Sequence, residues 1–258
     1  MSEHEGNGGT RRKRTRTLTR RSALTTLKEK QEKAVTLLDA FSEFTEYKHG
    51  ARNPYLSWLG SLSTLDPESV VRFLCFWYPV SRHQPQILLH CAAAHPDRAD
   101  RESIMRNYWE EDGLVNPGDD PHYDLLEKLI RKLGGRIAPD AEAEALIGRF
   151  HDTLNRMTPA QASGVIAAVE HPALDISGYL HQMIGLCGAS DLLRSDPYLT
   201  IHVRVEPDHI IWSHGTALRY LERGKEEVVH AFQRVMSFWE EYWSLAFSRL
   251  NCPLSNAA

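Results

Sequence analysis

Cysteine is sparse in this sequence: Cys75, Cys91, Cys187 and Cys252 are its four, and no two form a Cys-x-x-Cys pair. That scatter excludes a zinc knot and a disulfide frame, and leaves ordinary buried thiols. No window approaches the ~18 consecutive apolar residues that a membrane-spanning helix requires. No alternating run flanked by hairpin turns is present, so no segment needs a sheet to explain it. No internal repeat is visible. Arg20-Arg21 has the form of a twin-arginine signal, but Lys28, Glu29 and Lys30 follow where export needs an apolar stretch. The expected location is the cytoplasm.

A surplus of positive charge is also missing. The net charge of the 258 residues is -4. Residues 1–22 hold seven basic side chains (Arg11, Arg12, Lys13, Arg14, Arg16, Arg20, Arg21) against Glu3 and Glu5, a surplus of five that leaves the remainder at -9. An acidic body lacks the basic footprint of a nucleic-acid binder. Residues 1–22 read as a flexible basic tail and residues 23–258 as one domain, because 42% hydrophobic and 25% charged side chains suit a single large core.

What is present is helical periodicity. Leu27, Ala34, Leu37, Leu38, Phe41 and Phe44 recur at three- and four-residue steps, which predicts one long amphipathic helix closed by Gly50 and Pro54. A second helix should start at Asp66-Pro67, with the aspartate as N-cap and the proline in the first turn. Pro79 and Pro85 should kink or divide it, since each ring removes a backbone donor. Further helices are predicted over about Arg101–Glu111, His122–Leu133, Ala141–Met157, Pro159–Val169, Asp175–Cys187, Pro207–Leu221 and Lys225–Leu250. Tyr198–Val205 is the one strand-like stretch. The predicted architecture is an all-α, single-domain helical bundle.

Three places carry possible chemistry. In His202-Val203-Arg204-Val205-Glu206-Pro207-Asp208-His209, two histidines and a carboxylate stand at i, i+4 and i+7. On a helix these fall within about 60° of one another, so one metal centre could use all three. Imidazole with carboxylate is the ligand mixture of iron or manganese. Pro207 suggests that a turn starts afresh there and that His202 enters from irregular backbone, and Asp208 is an alternative carboxylate to Glu206. In Asn107-Tyr108-Trp109-Glu110-Glu111-Asp112-Gly113, acids end a helix, where they oppose the macrodipole unless they are exposed or a cation offsets them. Pro121-His122-Tyr123-Asp124-Leu125-Leu126 follows. Glu170 ends the apolar run Val165-Ile166-Ala167-Ala168-Val169, so it is either exposed or neutralised by something nearby. A competing arrangement pairs Glu206-x-x-His209 with Glu227-x-x-His230, as ferritin-like carboxylate proteins do.

The order Glu111, His122, Glu170, His202, Glu206, His209 resembles that of the heme-oxygenase-like di-iron oxidases, over most of the chain from about Leu37 to Phe247. The likeness is strongest at Glu111-Asp112-Gly113 through His122-Tyr123-Asp124-Leu125-Leu126 to Leu133-Gly134, and at His202 through His209. It implies a heme-oxygenase-like bundle of about seven core helices in which Glu111, His122, Glu170, His202, Glu206 and His209 hold two irons, Fe(II) or Fe(III), with O2 as co-substrate. Where that family has Asp in its last motif, this chain has Glu206. Three carboxylates and three neutral histidines leave two ferrous ions with about one positive charge, and six ligands leave coordination positions open for O2 and substrate.

The activity so implied is oxidation of a small amino-acid-like or fatty-acid-like substrate in a biosynthetic pathway, by N-oxygenation, C–C cleavage or oxidative decarboxylation. A homodimer and an external electron source are implied with it. Arg82 is a candidate clamp for a substrate carboxylate, because a guanidinium forks onto that group. The same architecture also hosts metal-free enzymes, thiaminase-type hydrolases and a pyrroloquinoline-quinone-forming oxidase. For a thiaminase-type nucleophile Cys75, Cys91 and Cys187 are the candidates. A non-enzymatic helical interaction protein is the third reading, and it leaves the acids and histidines unexplained. Trp239, Tyr242, Trp243 and Phe247 recur at helical spacing and read as core.

Overall fold

The computed structural model of the protein describes residues 26–42, 53–138 and 140–256. The basic tail expected over residues 1–22 lies outside the described residues, as do Phe44 and Gly50 at the expected end of the first helix. The described elements are helices: α1 (26–42), α2 (Pro54–Ser61), α3 (Pro67–Ala94), α4 (Arg98–Glu111), α5 (His122–Lys132), α6 (Ala141–Asp152), α7 (Pro159–Glu170), α8 (Ala173–Leu186), α9 (Leu192–Ser195) and α10 (Pro197–Ser248), with a final 3-10 turn at Pro253–Asn256. There is no strand among the described residues. The short α2 and α9 are additions that periodicity could not reveal. Asn53 caps α2 by accepting from the backbone N–H groups of Tyr55 and Leu56.

Three prolines lie within helices. Pro79 and Pro85 lie inside α3 without dividing it, and Pro207 lies inside α10. Each costs about 3 kcal/mol in an isolated helix. Packing outweighs that cost: α3 buries Phe73, Leu74, Phe76, Trp77, Ile87 and Leu88 against α4, α5, α6 and α7, and each such side chain returns about 1.5–3 kcal/mol. As predicted, α3 opens with Asp66, whose carboxylate accepts from the Ser69 N–H, and with Pro67 in the first turn. Tyr198–Val205, which looked like a strand, is the first part of α10. Its β-branched Thr200, Ile201, Val203 and Val205 suggest a strand, but burial of Tyr198, Leu199, His202, Glu206 and His209 follows a 3.6-residue period. His202 therefore projects from regular helix, not from irregular backbone.

The bundle is organised around α7 and α10, its most extensive helix pair. Helix α7 is capped by reciprocal bonds between Thr158 and Gln161 and is buried from Ala160 through Glu170, apart from the half-buried Gln161. Gly164 permits this closeness, since a Cβ there would stand 2.3 Å from the Val228 carbonyl oxygen. At Gly224 (φ -162°, ψ 55°) α10 bends, so that its two halves meet different parts of α7. The first half carries the polar cluster described next, and the second carries Phe232, Val235, Trp239, Tyr242, Trp243 and Phe247 into the main apolar core.

Candidate metal centre

Four helices bring six of the predicted side chains together. Glu111 is the last residue of α4, His122 the first of α5 and Glu170 the last of α7, while His202, Glu206 and His209 share one face of α10. None is more than 9% exposed. Gly113 sets up the first two. At φ +66°, with its Cα hydrogen directed at the Asp120 and Pro121 backbone, it turns the chain from α4 into the loop that leads to His122. A Cβ at that position would stand 2.6 Å from Asp120 C.

The six form two groups that share Glu206. In the first, His122 Nδ1 lies 2.9 Å from Glu111 Oε2, and the His122 and His202 rings are 5.0 Å apart. In the second, Glu170, Glu206 and His209 each offer an atom within 4.8 Å of the others. Glu206 turns Oε1 toward His202 Nε2 at 3.9 Å and Oε2 toward His209 Nδ1 at 3.5 Å. Glu170 Oε2 is 3.8 Å from the same His209 Nδ1.

The histidines are oriented from behind. His202 Nδ1 donates to the Tyr198 carbonyl at 2.6 Å, which leaves the lone pair on Nε2 facing Glu206. His209 Nε2 bonds Glu110 Oε2 at 2.8 Å and so presents Nδ1 to Glu170 and Glu206. Asn107 Nδ2 donates to Glu170 Oε1 at 2.9 Å. Glu110 and Asn107 complete the site but were not singled out in the sequence; the only signal was their place one and four residues before Glu111, on the same helix. With Glu110 the carboxylates number four, equal in charge to two divalent cations.

Buried nitrogens remain without hydrogen bonds: His209 Nδ1, and both nitrogens of His122, whose 2.9 Å approach to Glu111 lacks hydrogen-bond direction. Buried polar atoms are normally paired, and leaving one unpaired costs about 1–3 kcal/mol. Their convergence with carboxylates fits a cation held by lone pairs. Electrostatics agree. Burial pushes the Glu170 carboxyl up, and Glu206 and Glu111 add to this against His209, so that it stands at about 8. Burial also acts to raise Glu111, but His122, His209 and His202 outweigh it and bring that carboxyl down to about 2. Burial and the neighbouring His122 lower His202. A carboxyl that keeps its proton among neighbouring carboxylates marks the Glu170 end of the cluster as short of positive charge. The carboxyl-terminal positions of Glu111 and Glu170 add to that shortage, because each sits at the negative end of its helix dipole.

Other candidates fall elsewhere. Arg82 is exposed, with Nη2 2.8 Å from Glu144 Oε1, and it is not among the residues that line the cavity beside the cluster. Ser81 and Gln84 from the same stretch line that cavity. Asp208 points outward to Lys30 Nζ at 2.6 Å, so Glu206 is the inward carboxylate. Glu227 and His230 are exposed on the second half of α10, and Glu227 bonds Thr158. They cannot join Glu206 and His209 in a ferritin-like site. Burial raises the thiols of Cys75, Cys187 and Cys91, the last to about 12, the opposite of what an activated nucleophile needs.

A family model described as iron-containing redox enzyme matches residues 71–240, a span that includes all six side chains. The chain belongs to this family. Its fold is the all-α, heme-oxygenase-like bundle of these iron-containing redox enzymes. The fold recurs in two crystal structures of a CADD-like protein of unknown function from Nostoc punctiforme. One is 14% identical with a TM-score of 0.61, covering 88% of this chain and 99% of that one. The other is 14% identical with a TM-score of 0.59, covering 87% and 97%. No curated protein matches the chain. Among the described residues no helix is long and apolar enough to cross a membrane.

Proposed function

We propose that this iron-containing redox enzyme is a di-iron oxidase that uses O2 to oxidise a small, largely apolar substrate. The observation that carries the reading is the set of six buried donor residues in two groups, Glu111, His122 and His202 in one and Glu170 and His209 in the other, with Glu206 shared between them and histidine nitrogens that have no hydrogen-bond partner. Glu111, His122 and His202 would hold one iron and Glu170 and His209 the other, with Glu206 offering one oxygen to each. Bound there, the irons would supply the redox chemistry that activates O2.

The chain's own residues do the rest. Glu110 and the Tyr198 carbonyl fix which nitrogen of His209 and His202 faces inward, so that the ligands are held before metal arrives. Asn107 holds Glu170 by one oxygen and leaves the other for the cluster. Beside Glu111, Glu170, His202 and Glu206 lies a cavity of about 40 Å³, walled by Trp77, Val80, Val169, Ile176 and Trp239, with Ser81, Gln84 and Tyr198 as its polar points. That volume holds a few waters or one O2, since a water needs ~10–15 Å³ by this measure. Its wall carries no lysine or arginine, which favours an apolar, fatty-acid-like segment near the irons over a charged head group. Such a substrate needs the wall to open, and its entry then drives water out.

Anaerobic titration of the apoprotein with Fe(II), followed by O2, tests the reading. Uptake of two irons per chain and their oxidation by O2 are the expected results. Saturation without specific iron uptake, or bound iron inert to O2, would overturn it.

A further inference from the structure

The aromatic residues of the second half of α10 reach the metal cluster, and they do so through oxidisable rings in contact. The Tyr198 ring lies 4.3 Å from that of His202, between centroids. Trp77 Nε1 donates to the Tyr198 hydroxyl at 2.9 Å. Trp77 stacks on Trp243 at 5.1 Å and on Trp239 at 6.0 Å, with interplanar angles of 16° and 29°. Trp243 meets Tyr179 edge-on at 5.4 Å. The Tyr179 hydroxyl is bonded by Asn53, whose amide also reaches Asp175 at 3.0 Å, and both of these are half-buried. Tyr198, Trp77 and Trp239 also line the cavity beside Glu111 and Glu206.

A core needs bulk, which leucine or phenylalanine would supply. Indole and phenol are in addition the aromatic side chains that give up an electron, and electron transfer slows steeply with distance, so rings in van der Waals contact exchange electrons quickly. We infer that Tyr198, Trp77, Trp243 and Tyr179 form an electron relay that joins the metal cluster to the half-exposed surface near Asn53 and Asp175. The inference rests on the reading of the cluster as an O2-using iron site.

The balance is simple. Tyr198 would give one electron to the oxidised site, and its phenolic proton would pass to the Ser81 hydroxyl that hydrogen-bonds it. Trp77 then returns an electron to Tyr198, which regains a proton, and the indole is left one electron short. That vacancy passes through Trp243 to Tyr179, where a soluble one-electron reductant, such as a reduced flavin or ascorbate, refills it. The relay thus feeds electrons inward, and it discharges an unused oxidant when substrate is absent.

The test uses the full chain loaded with Fe(II), exposed to O2 without substrate, frozen rapidly and examined by electron paramagnetic resonance, with iron content and oxidation measured on the same samples. An organic radical whose lines narrow on ring-deuteration of tyrosine or tryptophan is expected. Trp243→Phe and Tyr179→Phe, which keep aromatic bulk and lie outside the cavity wall, should lose the radicals at and beyond the substitution yet still bind and oxidise iron. Trp109→Phe, at an exposed residue outside the array, should leave the signal intact. Iron bound and oxidised with no aromatic radical, or with the same radical in Trp243→Phe and Tyr179→Phe as in wild type, would overturn the relay and leave the oxidase reading standing. Failure to bind or oxidise iron would remove both.

Discussion

The two halves of α10 are buried alike but filled oppositely. After Gly224 the inward face is Phe232, Val235, Trp239, Tyr242, Trp243 and Phe247, and its polar atoms are paired: Trp239 Nε1 donates to the Ala168 carbonyl and the Tyr242 hydroxyl to that of Phe76. Before Gly224 the inward face includes His202, Glu206 and His209, gathered against Glu111, Glu170 and His122, where nitrogens of His122 and His209 lack hydrogen bonds. One half supplies stability. The other spends it, since buried carboxylates and unpaired imidazoles are costly until a cation offsets them. The lesson is that burial alone does not separate core from site; satisfaction of the buried polar atoms does.

Substitutions can break this comparison, beginning with the largest effect. His209→Ala or Glu206→Ala should abolish turnover and remove at least one iron, while the circular dichroism of the apoprotein stays helical and its melting temperature holds or rises. An apoprotein that unfolds on losing either side chain would show that the polar half stabilises the fold after all. In the other half, Phe247→Ala should cost about 3–5 kcal/mol in chemical denaturation, because Phe247 is fully buried against Tyr55, Phe73 and Tyr179. Residual folded protein should still bind iron. A normal denaturation midpoint would contradict the assignment of stability to that half.

A finer probe is Glu110→Gln, which keeps the shape beside His209 and removes the charge. Competition with a chelator should show iron affinity weakened about 10–100-fold, without loss of helix. At the small end, Glu227→Ala and His230→Ala should change denaturation by no more than about 0.5 kcal/mol and leave iron content unaltered. Loss of iron in either would revive a ferritin-like arrangement.

Much of the bundle was legible because burial in helices leaves a 3.6-residue period: the inward Ala34, Leu38 and Phe41 of α1 and the Asp66-Pro67 start of α3 follow local rules. The fresh helix start expected at Pro207 and the division allowed for at Pro79 and Pro85 did not occur, since packing against α7 and its neighbours outweighs a local rule that holds for an isolated helix. At the site, spacing on α10 and the order of acids and histidines pointed to the six residues that the fold gathers. Exposure of Glu170, its simplest local fate, is replaced by burial and a bond from Asn107. The orienting roles of Glu110 and Asn107 depend on distances across helices, which no linear pattern encodes. The pairing of Arg82 with Glu144, 62 residues away, is likewise outside the reach of a local pattern.

X-ray absorption at the iron edge of the Fe(II)-loaded chain addresses the shared carboxylate most directly. An iron–iron vector near 3.5–4 Å, lost in Glu206→Ala, is the predicted result. A spectrum fitted by nitrogen and oxygen neighbours alone, with no second iron, would contradict the account.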